Sequence, residues 1–393
     1  MLTIFLLLTG TIDPPASGGA LAPHMYGTER EVVLSWLEPA EAGSDSDSMR
    51  LRVSSFDGNE WSPPTTIVQR NDFFANWADV PVVVRGDEAW TATWLQKSGP
   101  GTYAYDVAVA RSRDGSTWTH LGTLNDDRTM TEHGFVSLVP GSDGVHAFWL
   151  DGREMTGDGH GHGSGVMNLR TAMITDRVGE SRVIDDMVCE CCPTAAAATP
   201  NGPIVLVRDR TQEEVRDIEV LRASNDYEPG AMLHPDEWSI AGCPVNGPAL
   251  DTRGADVAAA WFTGTPDRTG VWVAFSSDAG ATFDAPIQVD GDGAIGRVDL
   301  VLLPDGSAAI SWIRSHDEGG NVMLRTMGRD GAAPPARKIV PIEGSRRSGI
   351  PRIATMPGNP DDLLVTWTGV QDGETRVRAI VAAVHETIEP GVD

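Results

Sequence analysis

The chain has 393 residues, and its 43 glycines and 26 prolines break it into short segments, a composition suited to strands and turns rather than long helices. Its 56 acidic residues against 30 Lys and Arg, a formal charge of -26, exclude nucleic acid as a partner, because nothing neutralises a phosphate backbone. No stretch reaches the length of a transmembrane helix, so no integral membrane segment is expected. The acidity itself reads as a device for solubility, in keeping with a salty medium and a monomeric protein.

The apolar run Leu2 to Leu8 has two readings: the remnant of a secretory signal, or a strand that completes the fold. Residues 1–18 are therefore set apart as an N-terminal segment, and residues 19–393 are expected to form one domain. Within that domain, short strand-like runs ending in an aromatic recur: VVLSW at Trp36, TATW at Trp94, VHAFW at Trp149, VAAAW at Trp261, AAISW at Trp312 and LLVTW at Trp367. IVLVR, ending at Arg208, fills the one gap, and the spacings then fall near 55 residues throughout. Each run follows a short apolar segment and a turn such as Ser142-Asp143-Gly144 or Pro304-Asp305-Gly306. A third strand-like run comes after it, as at Asp106 to Arg111 or Val271 to Phe275. A unit of four short strands at this period predicts an all-β, seven-bladed β-propeller of four-stranded antiparallel blades, with six blades the alternative. The last unit lacks a fourth strand, and Thr3 to Leu8 is the expected donor, which would close the ring and remove its exposed edges.

After the third strands lie Ser276-Ser277-Asp278-Ala279-Gly280-Ala281-Thr282-Phe283 and two shorter versions, Ser112 to Trp118 and Ser55 to Trp61. Asp, Ser and Thr satisfy turn amides, Gly takes the strained position, and the aromatic packs between sheets. These stretches resemble the Asp-box (BNR) repeat of the sialidase-like β-propellers, a likeness that spans most of the chain as fold and carries no catalytic content by itself.

In such a ring, the loops leading into the first strands and the loops after the second strands emerge on one face. Three of the four cysteines lie in Val188-Cys189-Glu190-Cys191-Cys192-Pro193, and the fourth in Gly242-Cys243-Pro244 one blade on. Gly157-Asp158-Gly159-His160-Gly161-His162-Gly163 offers two imidazoles beside them, and Glu132-His133 precedes another inner strand. Thiolate with imidazole suits copper or zinc, so Cys189, Cys191, Cys192, Cys243, His133, His160 and His162 are the candidate ligands. Met155 and Met187 are soft donors that would favour copper, and Glu132 is an extra ligand or an outer support. The competing fates are free or redox-active thiols, or a disulfide such as Cys192 with Cys243, since cysteines outside the cytoplasm tend to pair. A periplasmic or extracellular location is expected.

The sialidase resemblance implies glycoside hydrolysis by a tyrosine–glutamate nucleophile, an early aspartate acid/base and an arginine triad. Asp79 stands where the aspartate is expected, Arg210, Arg297 and Arg352 are the three arginines, and Glu214 or Glu219 the glutamate. None of Tyr26, Tyr103, Tyr105 and Tyr227 lies in the last three units, and the Arg-Ile-Pro signature is absent. The ligand is therefore expected to be a soft metal or a small anion at the channel mouth, with a glycan bound or hydrolysed there as the alternative. A non-catalytic protein-interaction scaffold is the third reading. Asp45-Ser46-Asp47 and Asp290-Gly291-Asp292 lack the rest of a calcium loop and read as solvated turns.

Overall fold

The chain was analysed as a computed structural model, which describes residues 12–41, 47–155, 165–291 and 293–385. Its strands form seven sheets that follow one another along the chain, over residues 21–70, 82–123, 133–188, 195–234, 249–290, 294–342 and 352–383. Every sheet is an antiparallel meander in sequence order; six have four strands and the last has three among the described residues. The first strands of consecutive sheets touch, and Leu21–Gly27 touches Arg352–Met356, so the sheets close into a ring. This is the seven-bladed propeller expected from the repeat. The expected closing strand, Thr3 to Leu8, lies outside the described residues. Residues just beyond it run beside the last strand, where Gly19 N–H donates to Thr375 O at 2.9 Å and Asp13 accepts from Ala379 N–H at 3.0 Å.

The second strand of each blade is sandwiched between its two neighbours. Val32–Pro39, for example, is buried along almost its whole length, which is why these runs are continuously apolar rather than alternating. The recurrent tryptophan is buried within that strand, but its indole N–H needs an acceptor there. A carboxylate supplies it in four blades: Trp36 donates to Glu38 at 2.8 Å, Trp149 to Asp151 at 3.0 Å, Trp261 to Asp236 at 2.6 Å and Trp312 to Asp290 at 2.7 Å. An arginine then covers each carboxylate: Arg52 at 3.4 Å, Arg153 at 2.8 Å, Arg268 at 3.5 Å and Arg314 at 2.6 Å, in the same order. The buried charge is thereby paired and hydrogen-bonded, which is the condition for keeping it inside.

Aspartates on or just ahead of the inner strands join one blade to the next. Asp79 accepts from Phe135 N–H, Asp251 from Leu302 N–H and Asp299 from Ile353 N–H, each at 2.8 Å. The Ser-x-Asp turns close as their chemistry requires. Asp278 accepts from Thr282 N–H at 2.9 Å, Asp114 from Thr117 N–H at 2.7 Å and Asp57 from Glu60 N–H at 2.9 Å.

Candidate thiol site at the rim of the ring

The fourth blade departs from the repeat at Arg208, and the structure gives the reason. This guanidinium is 1 % exposed where other blades bury an indole. It donates from Nε to Asn246 O at 2.7 Å, from Nη1 to Arg216 O at 2.7 Å and from Nη2 to Phe262 O at 2.8 Å, and it stacks 4.8 Å from the centre of the Trp238 ring. Its own carbonyl accepts the Cys189 N–H at 2.9 Å. One residue therefore ties the loop carrying Cys189, Cys191 and Cys192 to the loop carrying Cys243, which reaches Asn246 three residues later. Gly247 allows the second loop to lie against the first: a Cβ there would come within 2.0 Å of Pro193 O.

Three of the four sulfurs converge as a result. Cys189 Sγ stands 2.6 Å from Cys192 Sγ and 3.9 Å from Cys191 Sγ, and all three sulfurs lie within 4.8 Å of one another. Cys243 lies on the neighbouring loop, which Gly247 packs against Pro193, next to Cys192. None of the four is in a disulfide, so the expected Cys192–Cys243 bridge is not what the sulfurs form here. Burial differs sharply among them: Cys189 and Cys192 are 0 % exposed, Cys191 is half-buried and Cys243 is exposed.

Charge around the sulfurs is ordered. Burial pushes the Cys189 thiol up, but hydrogen bonds from Cys191 and Cys192, together with the Arg216 guanidinium 3.3 Å from its sulfur, carry it well below the ordinary thiol range. Burial and the hydrogen bond with Cys189 push Cys192 well above it. Arg216 is 1 % exposed and is fixed by Glu190 at 2.7 Å and Glu214 at 2.7 Å. Arg210 joins the same two carboxylates. The cluster thus sets two buried cations, Arg208 and Arg216, against its buried sulfurs. Neither arginine was singled out by ligand logic; the interruption of the aromatic repeat at Arg208 was the available signal.

The remaining expected ligands fall elsewhere. His160 and His162 lie outside the described residues. His133 is separate from the sulfurs: its Nδ1 faces Tyr105 O at 3.1 Å, and its Nε2 faces Asp127 at 3.3 Å and Asp151 at 3.7 Å. Burial works against an imidazolium there, yet the two aspartates outweigh it and raise the pKa. Arg153 already covers both oxygens of Asp151 and supplies positive charge to this nest. Glu132, next to His133, turns the other way. It accepts from Tyr105 O–H at 2.6 Å, and burial, with Glu190 and Cys189 nearby, pushes it up to about 7. Met187 lines a crevice with Asp185, Asp209 and Glu219, where burial and the neighbouring carboxylates push Glu219 up to about 9.

The residues expected for glycan chemistry are divided between two places. Asp79, Arg297 and Arg352 line the central channel, a cavity of about 820 Å³, whereas Arg210 belongs to the thiol rim. Asp79 is 1 % exposed and burial raises its pKa well above the carboxylate range; one oxygen is taken by Phe135 N–H and the other has no partner. Arg297 spends its guanidinium on Ser345 O and Gly349 O and lies over Trp77, and Arg352 approaches Asp299 at 3.9 Å. A tyrosine–glutamate pair does occur, Tyr105 with Glu132, but Tyr105 is 0 % exposed and stacked on Phe74. It has no path to a substrate.

No protein-family profile matches the chain, and no curated protein matches it in sequence. Solved structures do match in shape. The BP39L lectin from Burkholderia pseudomallei superposes with a TM-score of 0.60 at 13 % identity, over 96 % of this chain and 97 % of the lectin. The GH93 α-L-arabinofuranosidase of Fusarium graminearum, solved with arabinobiose, gives 0.52 at 15 %, over 95 % and 97 %. The Penicillium chrysogenum α-L-arabinanase, also with arabinobiose, gives 0.50 at 13 %, over 95 % and 97 %. At these identities the likeness is one of fold.

Proposed function

We propose that the protein is an exported, monomeric propeller of the sialidase-like Asp-box type that holds a soft metal ion, copper(I) or zinc(II), between Cys189, Cys191, Cys192 and Cys243. The observation that carries the reading is three sulfurs within 4.8 Å of one another, with the fourth cysteine, Cys243, on the loop packed against theirs, beside two buried guanidinium groups. Thiolates are soft donors, and a set of four suits either ion. With metal–sulfur bonds of about 2.3 Å, a tetrahedral site has sulfur–sulfur edges of about 3.8 Å. Cys189 and Cys191 match that edge at 3.9 Å, while the Cys189–Cys192 contact at 2.6 Å has to open. Arg208 and Arg216 offset the surplus negative charge, which matters most for a monovalent ion.

Metal analysis of tag-free, reduced protein tests it. Equimolar copper or zinc that is lost in Cys189→Ser supports the reading; reduced protein that neither carries nor takes up either ion sinks it.

A second reading, a glycan held in the central channel, draws on a different observation. Asp79 Oδ2, His24 Nδ1 and Arg352 Nε are buried at that cavity without partners, and buried polar atoms ordinarily have them. The lectin and glycosidase neighbours are of the same shape. Titration with arabinan and sialoside oligosaccharides tests this, binding that disappears in Arg352→Ala being the expected result. No binding to either, or binding untouched by the substitution, would remove it.

A further inference from the structure

We propose that the thiol site is gated by oxidation, and that the gate is a disulfide formed between Cys191 and Cys243, the accessible pair contributed by neighbouring blades. Its consequence for metal rests on the reading above, but the pairing itself does not.

The four sulfurs are not equivalent in access. Cys189 and Cys192 are 0 % exposed, with Arg216 Nη1 3.3 Å from the Cys189 sulfur, while Cys191 is half-buried and Cys243 exposed. The corner that carries Cys243 is open, since a Cβ on Gly242 would meet nothing within 4 Å. Thiol–disulfide exchange needs an attacking sulfur that a second disulfide can reach in line, and Cys243 is the one that qualifies. Cys189 and Cys192 are closer together, at 2.6 Å, but an external disulfide has no approach to either.

The oxidant is a low-molecular-weight disulfide, RSSR. The Cys243 thiolate attacks one of its sulfurs, which breaks the S–S bond, forms the mixed disulfide Cys243–S–S–R and releases one RS⁻. Cys191, on the loop against which the Cys243 loop packs at Gly247 and Pro193, gives its proton to solvent and attacks the Cys243 sulfur, forming the Cys191–Cys243 bond and releasing the second RS⁻. Two electrons leave the protein sulfurs, and RSSR is reduced to two thiols. Two of the four donors are then spent, and a metal held by the remaining two is released.

The experiment treats the reduced, metal-free protein with oxidised glutathione and maps disulfides over time by differential alkylation and mass spectrometry. A first bridge joining Cys191 to Cys243 is expected, and in Cys243→Ser the first reaction with glutathione should slow roughly tenfold or more. Cys191→Ser should instead stop at a stable glutathione adduct on Cys243. A first bridge between Cys189 and Cys192, or an adduct on Cys243 that persists in the unsubstituted protein, overturns the pairing. A parallel series on zinc-loaded protein follows release with a chromogenic chelator. Metal that stays bound after the Cys191–Cys243 bridge has formed overturns the gate. If the reduced protein takes up no metal yet forms that bridge, the metal reading fails while the pairing stands.

Discussion

Arg208 shows how one substitution in a repeat builds a site. A tryptophan there would fill the space between blades but could donate one hydrogen bond, whereas the guanidinium donates to three backbone carbonyls in fixed directions. Restoring the repeat with Arg208→Trp should therefore damage what the repeat does not need. Zinc or copper affinity is expected to fall at least tenfold as the Cys243 loop loses its tether at Asn246, and Arg208→Lys should not rescue it, since an ammonium cannot span the three acceptors. Competition with a calibrated chelator reads this directly; affinity equal to that of the unsubstituted protein would show that the loops hold themselves. Arg216 acts by charge instead. Arg216→Gln keeps hydrogen bonding but removes the cation 3.3 Å from the Cys189 sulfur. The expected loss in metal affinity is on the order of 10- to 100-fold, the usual effect of removing a support outside the ligands.

At the scale of the element, the tryptophan–carboxylate–arginine unit accounts for the aromatic period and for many of the arginines. The period was legible because each blade's second strand must be apolar from end to end. Partners were not: Glu38 and Asp151 lie two residues after their tryptophans, while Asp236 and Asp290 come from preceding segments. Likewise the convergence of the cysteines followed from counting blades, but the separation of His133 from them did not. Successive side chains on an extended strand point to opposite sides, so Glu132 faces Tyr105 and His133 enters the Asp127–Asp151 nest. Reading the two as one ligand pair ignores that alternation. The three arginines are divided, Arg297 and Arg352 at the channel and Arg210 with Glu190 and Glu214, and sequence cannot say which guanidinium is already spent on backbone carbonyls, as Arg297 is. The unit also gives a paired test. Trp149 donates to a buried carboxylate, whereas the Trp94 indole N–H has no partner. Trp149→Phe should cost about 2 kcal/mol more in unfolding free energy than Trp94→Phe, the worth of a hydrogen bond to a charged group. Denaturant titration of the two variants measures the difference, and equal losses would mean the carboxylates are incidental to the packing.

For the molecule as a whole, the excess of acid sets how stability responds to pH and salt. Burial raises Glu219 to about 9, Glu132 to about 7, and Asp209 and Asp251 to about 6. A carboxyl with a folded pKa above its unfolded value binds more protons in the folded state. Its contribution is complete below the unfolded value, near 4, and is lost as pH rises through the folded one. His133 has the same sign, since its raised pKa is a contribution present below about 6.5 and lost above its folded value. The opposite group, Asp278 near 2 with Asp114 and Asp127 also depressed, is stabilising only above the unfolded carboxylate range. Between pH 5 and 9 every raised group pulls one way, and self-repulsion at a formal charge of -26 adds to it. Thermal unfolding of the metal-free protein should therefore show a maximum midpoint near pH 5, a steady fall toward pH 9 and a steeper fall below pH 4. Added salt should raise the midpoint at pH 8 more than at pH 5, because only there is the full negative charge present to be screened. A midpoint that is flat or rising from pH 5 to pH 9 would mean that the buried carboxyls are paired with cations strongly enough to stay ionised.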